Sequence, residues 1–289
     1  MAISTRPLKG MRIMSLALNL PGPAALRRLA DMGALCTKIN PPAGDAMKTY
    51  TPAGYALLHA GVRELTLDLK TEAGQAGLHR RLSRTDLLLT SFRPSALKKL
   101  GLSWPALRKR YPQLSLVQIV GARGAQAEVP GHDLTYQAEA GLVQGLQVPP
   151  SLFADMAGAL MASEAALQAL IQRQRTGRGI VQEVALADAA LWLALPRQWH
   201  MTTPGGPVGG GHAGYALYPC KDGRVALAAL EPHFAQRLCA VAGLAIEHPM
   251  RDLLRPEVAR AVAAFCKRHS RAQLNQLAQT HDIPLLTLP

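Results

Sequence analysis

Two short stretches carry side chains whose types and setting could move a proton or attack an acyl group. Gly131-His132-Asp133 puts an imidazole in a glycine-flanked loop, and Ala154-Asp155-Met156 puts a carboxylate where a long Ala/Leu-rich pattern begins. Histidine titrates near neutrality and can both take and return a proton. A carboxylate can be the partner base or a nucleophile toward a carbonyl carbon. Aligned backbone N–H groups at a helix start stabilise negative charge in either role. Each residue also has a plainer reading: Asp155 as a helix cap, His132 as a hydrogen-bonded loop residue and Asp133 as a turn former.

The elements that must position them alternate. Residues 11–18 read as a buried strand and 24–32 as a helix with Pro23 in its first turn and Gly33 at its end. Further strands are expected at 34–39, 65–69, 86–90, 115–120 and 181–184, with helices at 72–83 and 152–174 between them. This alternation predicts an α/β fold, a Rossmann-like doubly wound, mostly parallel sheet. No GxGxxG follows the first strand, so no dinucleotide site is predicted. After a helical patch at 186–201, the Gly/Pro-rich stretch reads as a linker. A hairpin over 215–230, turning at Lys221-Asp222-Gly223, and helices at 232–243 and 256–279 follow. The expected organisation is a large α/β domain over 1–200, a linker over 201–214 and a smaller α+β domain over 215–289.

The composition narrows the function classes. With 289 residues and 48% hydrophobic content, the chain can build two cores. No apolar run reaches the roughly 18 to 20 residues of a membrane span, and the first ten residues lack the order of a secretory signal. A cytoplasmic protein without a membrane partner is expected. Cys36, Cys220, Cys239 and Cys266 show no metal or disulfide spacing, so reduced thiols and no metal site are expected. The net charge of +13 gathers in clusters such as Arg80-Arg81, Lys98-Lys99 and Arg108-Lys109-Arg110. Without a nucleic-acid motif or interleaved aromatics, phosphate groups of a small ligand are favoured over nucleic acid as the partner of that charge.

Longer stretches carry a resemblance. Pro7-Leu8-Lys9-Gly10-Met11-Arg12-Ile13, Leu29-Ala30-Asp31-Met32-Gly33-Ala34, Lys38-Ile39-Asn40-Pro41-Pro42-Ala43-Gly44-Asp45, Thr66-Leu67-Asp68-Leu69-Lys70, Ser91-Phe92-Arg93-Pro94 and Arg175-Thr176-Gly177-Arg178-Gly179 resemble the family III CoA-transferases, in register over essentially the whole chain. Gly131-His132-Asp133, Ala154-Asp155 and Leu230-Glu231-Pro232 lean toward the α-methylacyl-CoA racemase branch.

The resemblance implies an acyl-CoA enzyme with no permanently bound cofactor, its coenzyme A thioester being substrate, in an interlocked homodimer. His132 and Asp155 would exchange the α-proton of a 2-methylacyl-CoA from opposite faces, with Glu231 orienting the imidazole. In the transferase branch the same Asp155 attacks the acyl-CoA carbonyl and CoA moves between carboxylic acids; a CoA-binding relative of low activity is a third reading. For the CoA moiety, Arg93 and Lys38 are implied at the phosphates, Leu57, Leu58 and Leu67 beside the adenine, and Arg123 in a rebuilt loop. Three differences from the family pattern stand out: His59-Ala60-Gly61 in place of Asn-Arg-Gly, Gly121-Ala122-Arg123-Gly124-Ala125-Gln126 in place of a Gly-x-Gly-Gln-x-Gly-Pro loop, and an end at Pro289 without the family's C-terminal return segment. The last implies a looser dimer.

Overall fold

The computed structural model describes residues 5–289, so residues 1–4 of the expected large domain lie outside it. The chain divides into two compact units, one ending at Ala194 and one spanning Leu195–Pro289.

The first unit is built in the order β1 (Arg12–Ser15), α1 (Pro21–Asp31), β2 (Leu35–Asn40), α2 (Met47–Tyr50), α3 (Pro52–His59), β3 (Arg63–Thr66), α4 (Glu72–Leu82), β4 (Leu87–Thr90), α5 (Pro94–Lys99), α6 (Trp104–Arg110), β5 (Ser115–Val120), a 3-10 turn (Gly124–Glu128), α7 (Asp133–Glu139), α8 (Phe153–Thr176), β6 (Val181–Ala185) and α9 (Leu186–Gln198), which runs past the unit boundary. Its six strands form one parallel sheet in the order β3-β2-β1-β4-β5-β6. The winding reverses between β1 and β4, and in sheets of this kind the crevice beyond the strands' carboxyl ends at that point is where ligands bind.

Alternation along the central strands feeds two cores. Leu87 and Leu89 of β4 and Val117 and Ile119 of β5 face a layer that includes α1, α8 and α9. Leu88 and Leu116 face the layer that includes α4, α5 and α6. Burial on both sides is why these strands read as continuous apolar runs. In α8, Ala154, Ala159, Ala162, Ala166 and Ala169 are buried, and such small side chains let α8 lie close against the sheet and α1. The helix ends on Gly177, whose φ of 67° is the left-handed geometry that glycine adopts without strain.

The second unit contains β7 (Tyr215–Cys220), β8 (Gly223–Ala228), α10 (Pro232–Ala242), α11 (Pro249–Asp252), α12 (Pro256–Arg268), α13 (Arg271–His281) and β9 (Leu285–Leu288). Its three strands make an antiparallel sheet, β7-β8-β9, with a core of its own. The single helix expected over 256–279 is two helices, because Ser270 and Gln273 cap each other's backbone and start α13 afresh. The stretch expected as a linker is a run of hydrogen-bonded turns, with Gly206 N–H on Thr203 O at 2.8 Å and Gly209 N–H on Gly206 O at 2.9 Å. Backbone carbonyls crowd Gly206, Gly209 and Gly211 where a Cβ would stand, so these glycines serve close packing rather than a free hinge. All four cysteines are buried and free.

Candidate active site

The cleft lies where the topology puts it. Leu18 and Asn19 after β1, Ser91 and Arg93 after β4 and Gly121 after β5 form one side, and Gly131, His132, Tyr136 and Asp155 complete it. A hydrogen bond from Leu18 N–H to Ser91 Oγ, 3.1 Å, ties the β1 and β4 loops across the switch point. Thus His132, Asp155 and Arg93, singled out in sequence, line one cleft within the first unit.

Asp155 occupies the third position of α8 and is not its cap. Its backbone N–H instead donates to Asp133 Oδ1 at 3.0 Å, so a carboxylate from α7 serves a helix donor that would otherwise lack a partner. The other Asp133 oxygen accepts from the Gln137 side-chain amide, which also donates to Ser151 O at 3.1 Å. Asp133 is therefore the buried brace between the starts of α7 and α8. The Asp155 carboxyl is pushed up to about 7, first by burial and then by the Asp133 carboxylate. A carboxyl that titrates near neutrality can be present as acid or base under ordinary conditions. His132 precedes α7 and is exposed. Its main chain is held by Thr135, whose Oγ1 accepts the His132 N–H at 3.1 Å and donates to His132 O at 2.7 Å.

Tyr136 is the site residue that sequence reasoning missed. It lines the same cleft and is almost fully buried, and a Cβ on either Gly121 or Gly131 would collide with its ring or hydroxyl. Two glycines therefore make room for one phenol. Burial, and next the Asp155 charge, raise its pKa, which keeps the hydroxyl a proton donor. The signal was available: Tyr136 follows His132 by four residues, so a helix starting at His132 puts both on one face.

The other residues implied by the resemblance scatter. Lys38 is absent from the cleft lining: its side chain is fully buried, its ammonium pairs with Asp45 and stands 3.1 Å from His59 Nε2. Burial lowers the pKa of both Lys38 and His59. The contact from His59 Nδ1 to Tyr55 O, 2.7 Å, assigns the ring proton to Nδ1 and leaves Nε2 to accept from Lys38. Asp45 also accepts the N–H groups of Asn19, at 3.2 Å, and Met47, at 3.0 Å. Because Asn19 stands in the cleft wall with a φ of 62°, Lys38 acts on the site through Asp45 and the backbone it fixes.

The three leucines also part company. Leu57 is exposed, Leu58 packs against the first core, and Leu67 alone lines a groove of about 360 Å³ with Pro41, Pro42, Ala43, Phe92 and Leu100. Successive residues of a helix point about 100° apart, so Leu57 and Leu58 cannot share one wall. Arg123 pairs with Asp188 and is absent from the cleft lining. Glu231 belongs to the second unit, exposed, immediately before α10. Among the described residues no group of three or more His, Cys, Asp or Glu side chains is placed to hold a metal, and no helix is long and apolar enough to cross a membrane.

Comparison with known proteins finds relatives of the whole chain and of its fold. The family model described as CoA-transferase family III matches residues 8–288. The α-methylacyl-CoA racemase of Mus musculus is 31% identical over 97% of this chain and 78% of its own length. The probable fatty acyl-CoA transferase Rv3272 of Mycobacterium tuberculosis is 34% identical over 65% of this chain, which covers only 52% of that protein. A crystal structure of the latter superposes with a TM-score of 0.86 and 27% identity over 98% of this chain and 85% of the other.

Proposed function

The chain belongs to CoA-transferase family III, and from that premise we propose that it racemises the α-carbon of a 2-methylacyl-CoA. One observation carries this reading: an imidazole and a carboxyl pushed up to about 7 line a single cleft. A thioester α-proton is weakly acidic, so its removal needs a base placed against it and a donor for the enolate oxygen. Asp155 serves one face of the α-carbon and His132 the other, with the proton returned by whichever group did not abstract it. The Tyr136 hydroxyl is the donor facing the enolate oxygen, and the start of α8 adds aligned N–H groups. Arg93, exposed on the cleft rim, takes a CoA phosphate. The Leu67 groove, at the same edge of the sheet, takes the adenine. Glu231 enters through the family resemblance, as the group that orients the imidazole.

A homodimer belongs to the same proposal. Met156 and Leu160 are exposed one turn apart on α8, Leu152 is exposed just before it, and Trp192 is exposed on α9. Apolar faces of this kind mark surfaces that another chain covers.

CoA transfer is the second reading, favoured by the Rv3272 likeness. There Asp155 attacks the thioester carbonyl, CoA leaves as the thiolate, and the acyl group is held as a mixed anhydride. Mass spectrometry of 2-methylacyl-CoA incubated with the protein in deuterated water separates the two. The racemase reading expects one deuterium at the α-carbon, lost by roughly 10³-fold in Asp155→Asn and His132→Ala. Transfer to an acceptor acid that survives His132→Ala, without exchange, overturns it.

A further inference from the structure

The candidate active site leaves most of the chain's positive charge unused, and one part of that charge is concentrated. A groove of about 890 Å³ opens at the amino ends of β1, β2 and β3, the sheet edge opposite the cleft. Arg12 opens β1, Arg63 opens β3, and Arg80, Arg81 and Arg84 come from the end of α4 and the turn after it. Five arginines therefore line one recess, and among the described residues no Asp or Glu lines it.

The acidic neighbours are already engaged. Asp86 accepts the Arg12 backbone N–H at 2.7 Å and pairs with Arg173 at 2.8 Å. Glu64 accepts from Tyr55 and, at 2.8 Å, from Asn40. Among the described residues none of the five arginines has a carboxylate within salt-bridge distance. Arg81 bonds the Gly77 carbonyl at 2.8 Å, a contact that neutralises no charge. Like charges gathered in a recess repel one another, and guanidinium forks match phosphate oxygens in pairs.

We propose that this groove binds a small anion carrying two or more phosphate groups, held by its phosphates between Arg12, Arg63, Arg80 and Arg84. The volume is that of a small-molecule site. Among the described residues no aromatic side chain lines the groove to stack on a base, so the number of phosphates sets affinity. A free triphosphate and a nucleoside triphosphate should bind alike, and a monophosphate weakly. The ligand is distinct from the acyl-CoA of the cleft, which approaches the opposite edge of the sheet.

Isothermal titration of the full chain at about 0.15 M salt tests this. Inorganic triphosphate, ATP and AMP are compared on wild type, Arg80→Ser/Arg84→Ser and Arg108→Ser/Lys109→Ser, the last removing equal charge from exposed positions on α6. The expected result is saturable one-site binding of triphosphate and ATP, weakened roughly tenfold in the groove variant and within about twofold of wild type in the control. Arg63→Ser, on β3 rather than α4, gives an independent variant should the first fail to melt cooperatively. Equal weakening in both double variants, no saturable binding by wild type, displacement of triphosphate by one equivalent of CoA, or duplex DNA binding more tightly than ATP through the same arginines would each overturn the proposal.

Discussion

Asp45 and Asp155 stand near the carboxyl ends of one parallel sheet, and their surroundings differ in every respect that matters for chemistry. Asp45 is buried against an ammonium and accepts two backbone N–H groups. Among the described residues no cation pairs with Asp155, which faces a second carboxylate, Asp133, that takes up its backbone N–H. The first arrangement satisfies a charge and fixes the chain around it; the second leaves a carboxyl titrating at about 7. A buried carboxylate is structural when its partners are complete and reactive when they are withheld.

The sharpest way to break this contrast is to remove the cation's partner. Asp45→Asn strands the Lys38 ammonium in the core and should cost about 3–5 kcal/mol of stability, read by urea unfolding. Lys38→Met should cost a similar amount, and the double change Lys38→Met/Asp45→Leu much less than the two together. Additive losses would mean that the two groups do not depend on each other.

Tyr136→Phe addresses the reactive side. It keeps the ring between Gly121 and Gly131 and removes only the hydroxyl. Turnover should fall about 10²-fold, as for loss of one donor to a developing oxyanion, with unchanged CoA affinity and melting temperature. A fall in stability without a fall in kcat would make the phenol a packing element.

How far this contrast could be read from sequence follows from the range of the forces involved. The order of strands and helices in the first unit came from local periodicity, and the sheet order closes the way doubly wound chains do. Sequence singled out His132 by its loop, Asp155 by its helix start and Arg93 by the family register, and the structure brings the three to one cleft. The pairing of Lys38 was not legible, because a lysine in a strand reads as surface until its partner is known, and Asp45 meets it only through the turn after β2. Asp133 looked like a turn residue, since the helix it braces begins some twenty residues later, at Phe153. Short helices such as α3 and α7 leave too few turns for a periodic signal, so Tyr136 was legible only through its four-residue spacing from His132.

The pH dependence of the reaction should sharpen the comparison by a smaller factor. In the racemase reading the reacting state holds one proton between Asp155 and His132. The value of kcat/KM should then fall about tenfold per pH unit on both sides of an optimum, with the same profile for both epimers. In the transferase reading Asp155 has only to be ionised, so activity should rise through about pH 7 and then level off. A profile flat from pH 5 to 9 would remove Asp155 from both mechanisms.

The smallest expected effect is one of stability, and its sign is informative. The Asp155 carboxyl is raised from 3.8 to about 7 in the folded chain, so the native state holds this proton more tightly than the unfolded chain does. Its contribution to stability is complete below about pH 4 and is lost as pH rises through about 7, where folding must accommodate an ionised carboxylate beside Asp133. Asparagine cannot ionise. Asp155→Asn should therefore melt above wild type at pH 8, by on the order of 1 kcal/mol or about 2–4 °C after screening by solvent at this half-buried position. The gain should vanish at pH 4. The same substitution would then abolish turnover and stabilise the fold, which is expected of a group kept for chemistry at a cost to packing. A variant that melts lower at pH 8 would show instead that the ionised carboxylate is held by the start of α8, and Asp155 would join Asp45 as a structural charge.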